Sequence, residues 1–250
     1  MGYRLWVIDF WLLRRYGLIG RKLRHSLSQE LFEAQGFKDA SYGLYEMSSL
    51  DGLRRWVEDE HICGFNVTIP YKQAILPLLD TVNDMAAEIG AVNCVSVKDG
   101  HLTGHNTDAP AFMATMAGEH CHSKALILGT GGAARAVAYA LRQLGIEYVF
   151  ASRHPDAATV KPVIGYDKIT VEYGLIVNAT PVGMYPDTES TPLPLSTLHS
   201  PLSNLTVYDL IYNPSHTLLM REAETFGARV KNGLDMLHRQ AELSWAIWGL

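Results

Sequence analysis

The sequence predicts an α/β fold in two domains. Three observations carry that expectation. Short apolar runs alternate with helical patterns, the signature of mainly parallel sheets. A second such series restarts at Lys124 with an apolar run that feeds a glycine-rich turn. The chain then closes on a further helical pattern from Leu234 to about Trp248.

Taken in order, the first strands are expected at Tyr16–Ile19, Tyr42–Glu46, Gly64–Val67 and Val92–Val97. Helical stretches fall between them near Leu27–Gln35, Leu50–Asp59 and Ala86–Gly90. Asp108 through Ala117 reads as a helix with an Asp cap. In the second series, strands are expected at Ala125–Leu128, Tyr148–Ala151, Leu175–Asn178 and Thr206–Leu210, with helices at Ala133–Leu144 and His216–Phe226. Thr180–Pro201 holds five of the eleven prolines and reads as a long loop; loops of that length in compact domains are often functional. The boundaries therefore fall near Asp108 and Gly233. Residues 1–108 with 234–250 form one domain, residues 109–233 the other, and the last helix returns to the first domain.

A chain of 250 residues, 48% of them hydrophobic, buries a sizeable core without difficulty. The net charge is -5, which argues against a nucleic-acid footprint. Cys63, Cys94 and Cys121 are odd in number and far apart, so they suggest no disulfide framework and fit a reducing cytoplasm. The apolar run at residues 5–13 is too short to span a bilayer and carries Asp9. It also reads poorly as a signal peptide. Residues 1–15 are expected to be extraneous to the fold.

The most informative segment runs from Ala125 to Leu141. A strand enters Gly129-Thr130-Gly131-Gly132-Ala133-Ala134, which opens a helix. This is the G-x-G-x-x-A pattern in the context that gives it meaning. Gly129 permits the tight turn. Gly131 lets backbone approach a pyrophosphate, and Ala134 lets helix and strand pack closely. The helix N-terminus offers unpaired N–H groups and a positive dipole end. The second domain is thus expected to be Rossmann-like. Its next strand ends at Ser152-Arg153-His154, where NAD enzymes usually carry an acid for the ribose diol. A guanidinium there suits a 2′-phosphate. Asp156 is the one nearby acid that could reverse the preference.

The first domain carries a second cluster. Gly64 to Lys72 leaves a strand, passes Pro70 and starts a helix. Lys72 in a first turn would feel a dipole that disfavours an ammonium, which suits a proton-transfer group; a surface lysine is the plainer alternative. Asp108 would first be a helix cap, or else a carboxylate that orients Lys72. Ser26 and Ser28 read as N-cap residues with hydroxyls to spare, and Asn93 as a turn residue before a strand. In the last helix Met236, Leu237, Gln240, Leu243, Ser244 and Ile247 share one face, so Gln240 is either a satisfied core amide or a ligand to a hydroxyl. His120-Cys121-His122 lacks a spaced partner pair and is rejected as a metal site.

Together these segments resemble the shikimate dehydrogenase family, including its quinate dehydrogenase members. The resemblance runs from about Tyr16 to the C-terminus. It rests on HSLS (25–28), GFNVTIPYK (64–72), GAVN (90–93), NTD (106–108), GTGGAA (129–134), VNAT (177–180), YDLIY (208–212) and NGLDMLHRQ (232–240), in that order. It implies an N-terminal α/β substrate domain, a Rossmann-like NADP-binding domain and an active site in the cleft between them. Lys72 and Asp108 would be the catalytic pair. Ser26, Ser28, Asn66, Thr68, Asn93, Tyr212 and Gln240 would hold the substrate. Gly129, Thr130, Gly131, Gly132, Ala133, Ala134, Ser152, Arg153, Asn178, Thr180, Leu210 and Gly233 would hold NADP. The implied reaction is the reversible reduction of 3-dehydroshikimate to shikimate on the route to chorismate, in a cytoplasmic monomer or homodimer that engages neither nucleic acid nor membrane.

The chain departs from the family pattern in places. A helix-starting proline is replaced by Gln29 and an aspartate by His105; at the adenosine end the usual N-R-T reads Ser152-Arg153-His154, and its downstream arginine is replaced by Ala157. The alternatives are an NAD-preferring quinate/shikimate dehydrogenase, a methylenetetrahydrofolate dehydrogenase of related layout, and a non-catalytic NADP-binding sensor.

Overall fold

The structure is a computed structural model that describes residues 13–23, 26–117, 124–170, 172–195 and 203–250. Packing divides the chain into two compact units. The first takes residues up to Asn83, then Val92–His105 and Ser244–Leu250; the second takes Asp84–Ala91 and Asn106–Leu243. Among the described residues no helix is long and apolar enough to cross a membrane.

The first unit is built on a six-stranded sheet in the order β2-β1-β3-β5-β6-β4. Its strands are β1 (Arg14–Gly20), β2 (Ala40–Glu46), β3 (Ile62–Val67), β4 (Thr81–Val82), β5 (Cys94–Lys98) and β6 (His101–His105). β1 pairs in parallel with both β2 and β3, and β5 runs antiparallel to β3 and β6. Arg14 and Arg15 thus already belong to the sheet, so the expectation that the fold starts only after residue 15 is corrected. Helices α1 (Ser28–Gln35), α2 (Leu53–Asp59) and the single turn α3 (Tyr71–Ala74) also belong here.

Strand β6 was absent from the sequence expectation, although its cause is local. Asp99 and Gly100 adopt φ values of 51° and 75° between β5 and β6. Two left-handed residues make the tight turn that matches strand twist, and Asp-Gly is a residue pair that adopts it readily. The C-terminal turn of the chain closes this unit's core. Trp248 stacks on Tyr16 at 4.7 Å and its indole N–H donates to the Val95 carbonyl at 3.0 Å. Gly64 is obligatory beneath it, because a β-carbon there would lie 2.5 Å from the indole nitrogen.

The second unit carries an all-parallel sheet in the order β12-β11-β10-β7-β8-β9. Its strands are β7 (Ala125–Leu128), β8 (Tyr148–Ser152), β9 (Val163–Gly165), β10 (Leu175–Asn178), β11 (Thr206–Asp209) and β12 (Arg229–Lys231). Numbered within the unit this is the 3-2-1-4-5-6 order of dinucleotide-binding sheets, with its reversal between β7 and β10. Ligands bind such sheets outside the carboxyl ends of the strands at that reversal.

The helices are α4 (Asp84–Ile89), α5 (Asp108–Thr115), α6 (Gly132–Gln143), α7 (Leu218–Thr225) and the first part of α8 (Leu234–Trp248). β7, β10 and β11 are buried throughout, as strands covered on both faces must be. Phe112 of α5 stacks on Tyr208 of β11 at 5.2 Å, and the Tyr208 hydroxyl donates to Thr115 Oγ1 at 2.9 Å. Burial pushes that phenol up to about 12.

Helix α8 corrects the expected face. Met236 and Ser244 are buried, but Leu243 and Ile247 are exposed, and Ala241, Trp245 and Trp248 are buried instead. The buried positions 241, 244, 245 and 248 still follow helical spacing. The stripe is rotated because the two indoles have the most apolar area to remove from water.

Candidate active site

In the first unit the predicted residues gather at the ends of β3 and β1. Lys72 follows β3 by way of Thr68 and Pro70. Its carbonyl accepts the Val92 amide at 2.7 Å, which sets Asn93 beside it along the backbone. The Asn93 carbonyl accepts the Val67 amide at 2.8 Å, and the Asn93 amide donates to His105 O at 3.1 Å. The turn after β1 closes on the same place: Arg21 N donates to Ile69 O, and a β-carbon on Gly20 would stand 2.6 Å from Thr68 Cγ2. Asn66, Thr68, Lys72 and Asn93 are therefore brought together.

Several local roles differ from expectation. Lys72 sits on a helix of one turn, which carries little macrodipole, so the dipole argument for that lysine lapses. Helix α1 begins at Ser28, and its cap residue Leu27 supplies no side-chain bond. Ser26 Oγ instead accepts the Ser28 amide at 3.2 Å, and the two hydroxyls meet at 3.1 Å. Neither serine is the N-cap residue itself, but Ser26 satisfies the first helical amide from its side chain.

Asn66 is engaged by the protein itself. Its Oδ1 accepts the Tyr42 hydroxyl at 2.8 Å. Its Nδ2 donates to Asn93 O at 3.2 Å and to Ser244 Oγ at 2.8 Å. Both amide hydrogens are thereby used. His105 meets Ser96 Oγ at 3.2 Å. Burial lowers its pKa, which favours the uncharged imidazole.

In the second unit Asp108 is the first residue of α5, not its cap. The capping oxygen belongs to Asn106, whose Oδ1 accepts the Ala109 amide at 3.0 Å while its Nδ2 donates to Ala91 O at 2.9 Å. Gln240 is half-buried and its amide donates to Leu237 O at 3.0 Å. Tyr212 lies in the loop that follows β11.

The glycine turn has the geometry a dinucleotide requires. Gly129 has φ 102°, which L side chains rarely adopt, and a β-carbon on it would stand 2.9 Å from Thr180 Cγ2. Gly131 caps α6 without a side-chain bond, and Thr130 and Gly132 flank it. Among the described residues, a β-carbon on Gly131 would meet nothing within 4 Å beyond its own chain neighbours. The protein's own packing therefore does not demand glycine there, whereas a phosphate lying against the helix end would. Gly132 opens α6, Ala133 follows in its first turn, and Ala134 is fully buried against the core. A nicotinamide dinucleotide fits this cradle.

Across the reversal from the glycine turn, Asn178 ends β10. Its Oδ1 accepts Thr180 N at 3.0 Å and Thr180 Oγ1 at 2.7 Å. Leu210 N donates to Asn178 O, and Gly233 N donates to Ile211 O, both at 3.0 Å. Arg153 is exposed directly after β8 and makes no ion pair among the described residues; Ser152 Oγ accepts the His154 amide at 3.1 Å. Asp156 lies in the short turn Pro155–Ala157.

The motif reading overlooked Asp209 and Thr217. Asp209 is fully buried and Thr217 Oγ1 donates to it at 2.7 Å. An acid at the buried end of a parallel strand, inside YDLIY, is the signal that could have found it. Among the described residues no cluster of His, Cys, Asp and Glu could hold a metal ion, and His120-Cys121-His122 lies outside those residues.

Residues 18–95 match the family described as the shikimate dehydrogenase substrate binding domain. A shikimate dehydrogenase (NADP(+)) of Caldicellulosiruptor bescii is 34% identical over 94% of this chain and 89% of its own length. Two solved structures are similar along nearly their whole length. Shikimate dehydrogenase 1 of Peptoclostridium difficile has TM-score 0.84 and 35% identity, covering 95% of this chain and 92% of that one. Shikimate 5-dehydrogenase of Thermus thermophilus, in complex with NADP(H) and shikimate, has TM-score 0.83 and 36% identity, covering 95% and 94%.

Proposed function

The chain belongs to the shikimate dehydrogenase family, and from that premise we propose that it interconverts 3-dehydroshikimate and shikimate with NADP. The observation that carries this reading is the likeness, over 94% of the chain, to a protein named for that cofactor and that substrate. The open space over Gly131 at the N-terminus of α6 supports it independently.

The first unit is assigned to the substrate and the second to the dinucleotide. Gly129, Thr130, Gly131, Gly132, Ala133 and Ala134 hold the pyrophosphate through backbone N–H groups and the helix end. Ser152 and Arg153 take the 2′-phosphate, where a planar guanidinium gives paired, charge-assisted hydrogen bonds. Asn178, Thr180, Leu210 and Gly233 line the rest of the crevice. When bound, NADPH supplies a hydride to the ring carbonyl carbon.

Lys72 donates a proton to the oxygen on which charge develops, and takes it back in the reverse direction. Asp108 is the second residue of the proposed catalytic pair and acts on the reacting hydroxyl. Ser26 and Ser28 offer hydroxyls to the substrate carboxylate. Thr68, Asn93, Tyr212 and Gln240 bind its hydroxyls. Asn66 contributes indirectly, by fixing the Asn93 carbonyl. The protein acts mainly by position and by a fixed proton donor.

Replacing Lys72 by Ala tests the assignment. General acid–base catalysis contributes about 10²–10⁴-fold, so kcat should fall by at least that range while KM for shikimate changes little. Near-normal kcat at neutral pH would remove Lys72 from the mechanism.

A further inference from the structure

We infer that Asp209 is a positioning residue for the dinucleotide crevice, its buried carboxylate fixing the loops that follow β10 and β11. The inference rests on the assignment of Asn178, Thr180 and Leu210 to cofactor binding, and it adds a residue to which that assignment gives no role.

Asn178 and Asp209 are register partners at the carboxyl ends of β10 and β11. Three donors converge on the Asp209 carboxylate. Asn178 Nδ2 and the Ile211 amide donate to Oδ1, each at 3.0 Å, and Thr217 Oγ1 donates to Oδ2 at 2.7 Å. Asp209 has no accessible surface. Among the described residues no Lys or Arg is paired with it. A carboxylate taken out of water with only neutral donors is costly, and burial accordingly raises its pKa against the pull of Thr217, Ile211 and Asn178. An apolar side chain would pack at this strand end without that cost.

What the carboxylate does is hold three segments in one geometry. By engaging Nδ2 it fixes the flip of the Asn178 amide, so that Oδ1 faces Thr180 and accepts both its amide and its hydroxyl. Thr180 Oγ1 in turn accepts the Val182 amide at 3.2 Å. By engaging the Ile211 amide it bends the chain just after β11, at the residues that precede Tyr212. By engaging Thr217 it ties that bend to the start of α7, where the same hydroxyl caps the Met220 amide. Thr180 lies against Gly129 of the phosphate turn, so a change at Asp209 reaches the crevice through two hydrogen bonds.

The test uses the full chain, with NADPH binding followed by its fluorescence and amide hydrogen exchange measured without nucleotide. Asp209→Ala should weaken NADPH roughly tenfold, the equivalent of about 1.4 kcal/mol. The near-isosteric Asp209→Asn, which keeps an acceptor for Ile211 but presents N–H toward Thr217, should weaken it several-fold and remains informative if the Ala variant fails to fold. In both, exchange should quicken in residues 178–184 and 209–216 before nucleotide is added. Thr180→Val is the control on the underlying assignment and should also weaken NADPH. A normal NADPH affinity in Thr180→Val would overturn the crevice assignment itself. Weakened binding in Thr180→Val together with unchanged NADPH affinity and unchanged exchange in Asp209→Asn would overturn the role of Asp209 alone.

Discussion

Gly233 lies so close to Leu210 that a β-carbon on it would stand 2.0 Å from the Leu210 carbonyl oxygen and 2.5 Å from its carbonyl carbon. The neighbouring Gly233 amide donates to Ile211 O. The loop after β11 and the entry to α8 are thus pressed backbone to backbone, and only glycine permits it.

Gly233→Ala should therefore force main chain apart. Overpacking of this kind costs roughly 1–3 kcal/mol, which a thermal melt should register as a fall of several degrees. Because Leu210 moves with it, KM for NADP should rise as well. An unchanged melt with unchanged kinetics would mean that the loop gives way freely.

Gly131→Ala should behave in the opposite sense. Nothing among the described residues meets the added methyl, so stability should change by less than about 1 kcal/mol, the scale of a helix cap. NADP binding should nevertheless weaken at least tenfold, since the methyl stands where the pyrophosphate must come. Normal NADP affinity in this variant would remove the phosphate from the α6 N-terminus.

Asn66 and Ser244 offer a test of structure against binding. Asn66→Ala takes a donor from the fully buried Ser244 hydroxyl, an acceptor from the Tyr42 hydroxyl and a donor from the Asn93 carbonyl. A buried hydrogen bond lost without replacement costs roughly 1–3 kcal/mol. The melting temperature should drop, and a double-mutant cycle with Ser244→Ala should show coupling of about 0.5–3 kcal/mol. A normal melt with a large rise in KM for shikimate would instead return Asn66 to direct contact with the substrate.

Much of this was legible in the sequence. The glycine turn, the strands that flank it and the long helices all declare themselves through runs of Val, Ile, Leu and Ala whose period is unambiguous. The edge strands β4, β9 and β12 were not, because Thr81–Val82, Val163–Gly165 and Arg229–Lys231 are two or three residues long and exist by pairing with a neighbour. β6 was missed despite Asp99-Gly100, since HLTGH lacks the apolar alternation of a half-buried strand. The face of α8 was misjudged because periodicity gives a stripe's spacing but not its centre. Trp245 and Trp248 set that centre. Asp209 escaped notice because the value of a buried acid lies in donors from Asn178, Ile211 and Thr217, whose convergence only the fold reveals.

The central claim is that this chain oxidises and forms shikimate with NADP, and initial rates with shikimate and quinate, each paired with NADP and with NAD, test it most directly. Hydrogen bonds to charged groups contribute about 1.5–3 kcal/mol, so shikimate with NADP should give the highest kcat/KM and exceed shikimate with NAD by roughly ten- to a hundredfold. Arg153→Ala should narrow that ratio by raising KM for NADP and leaving that for NAD almost unchanged. Turnover that is fastest with quinate and NAD, or absent from all four pairs, would contradict the account.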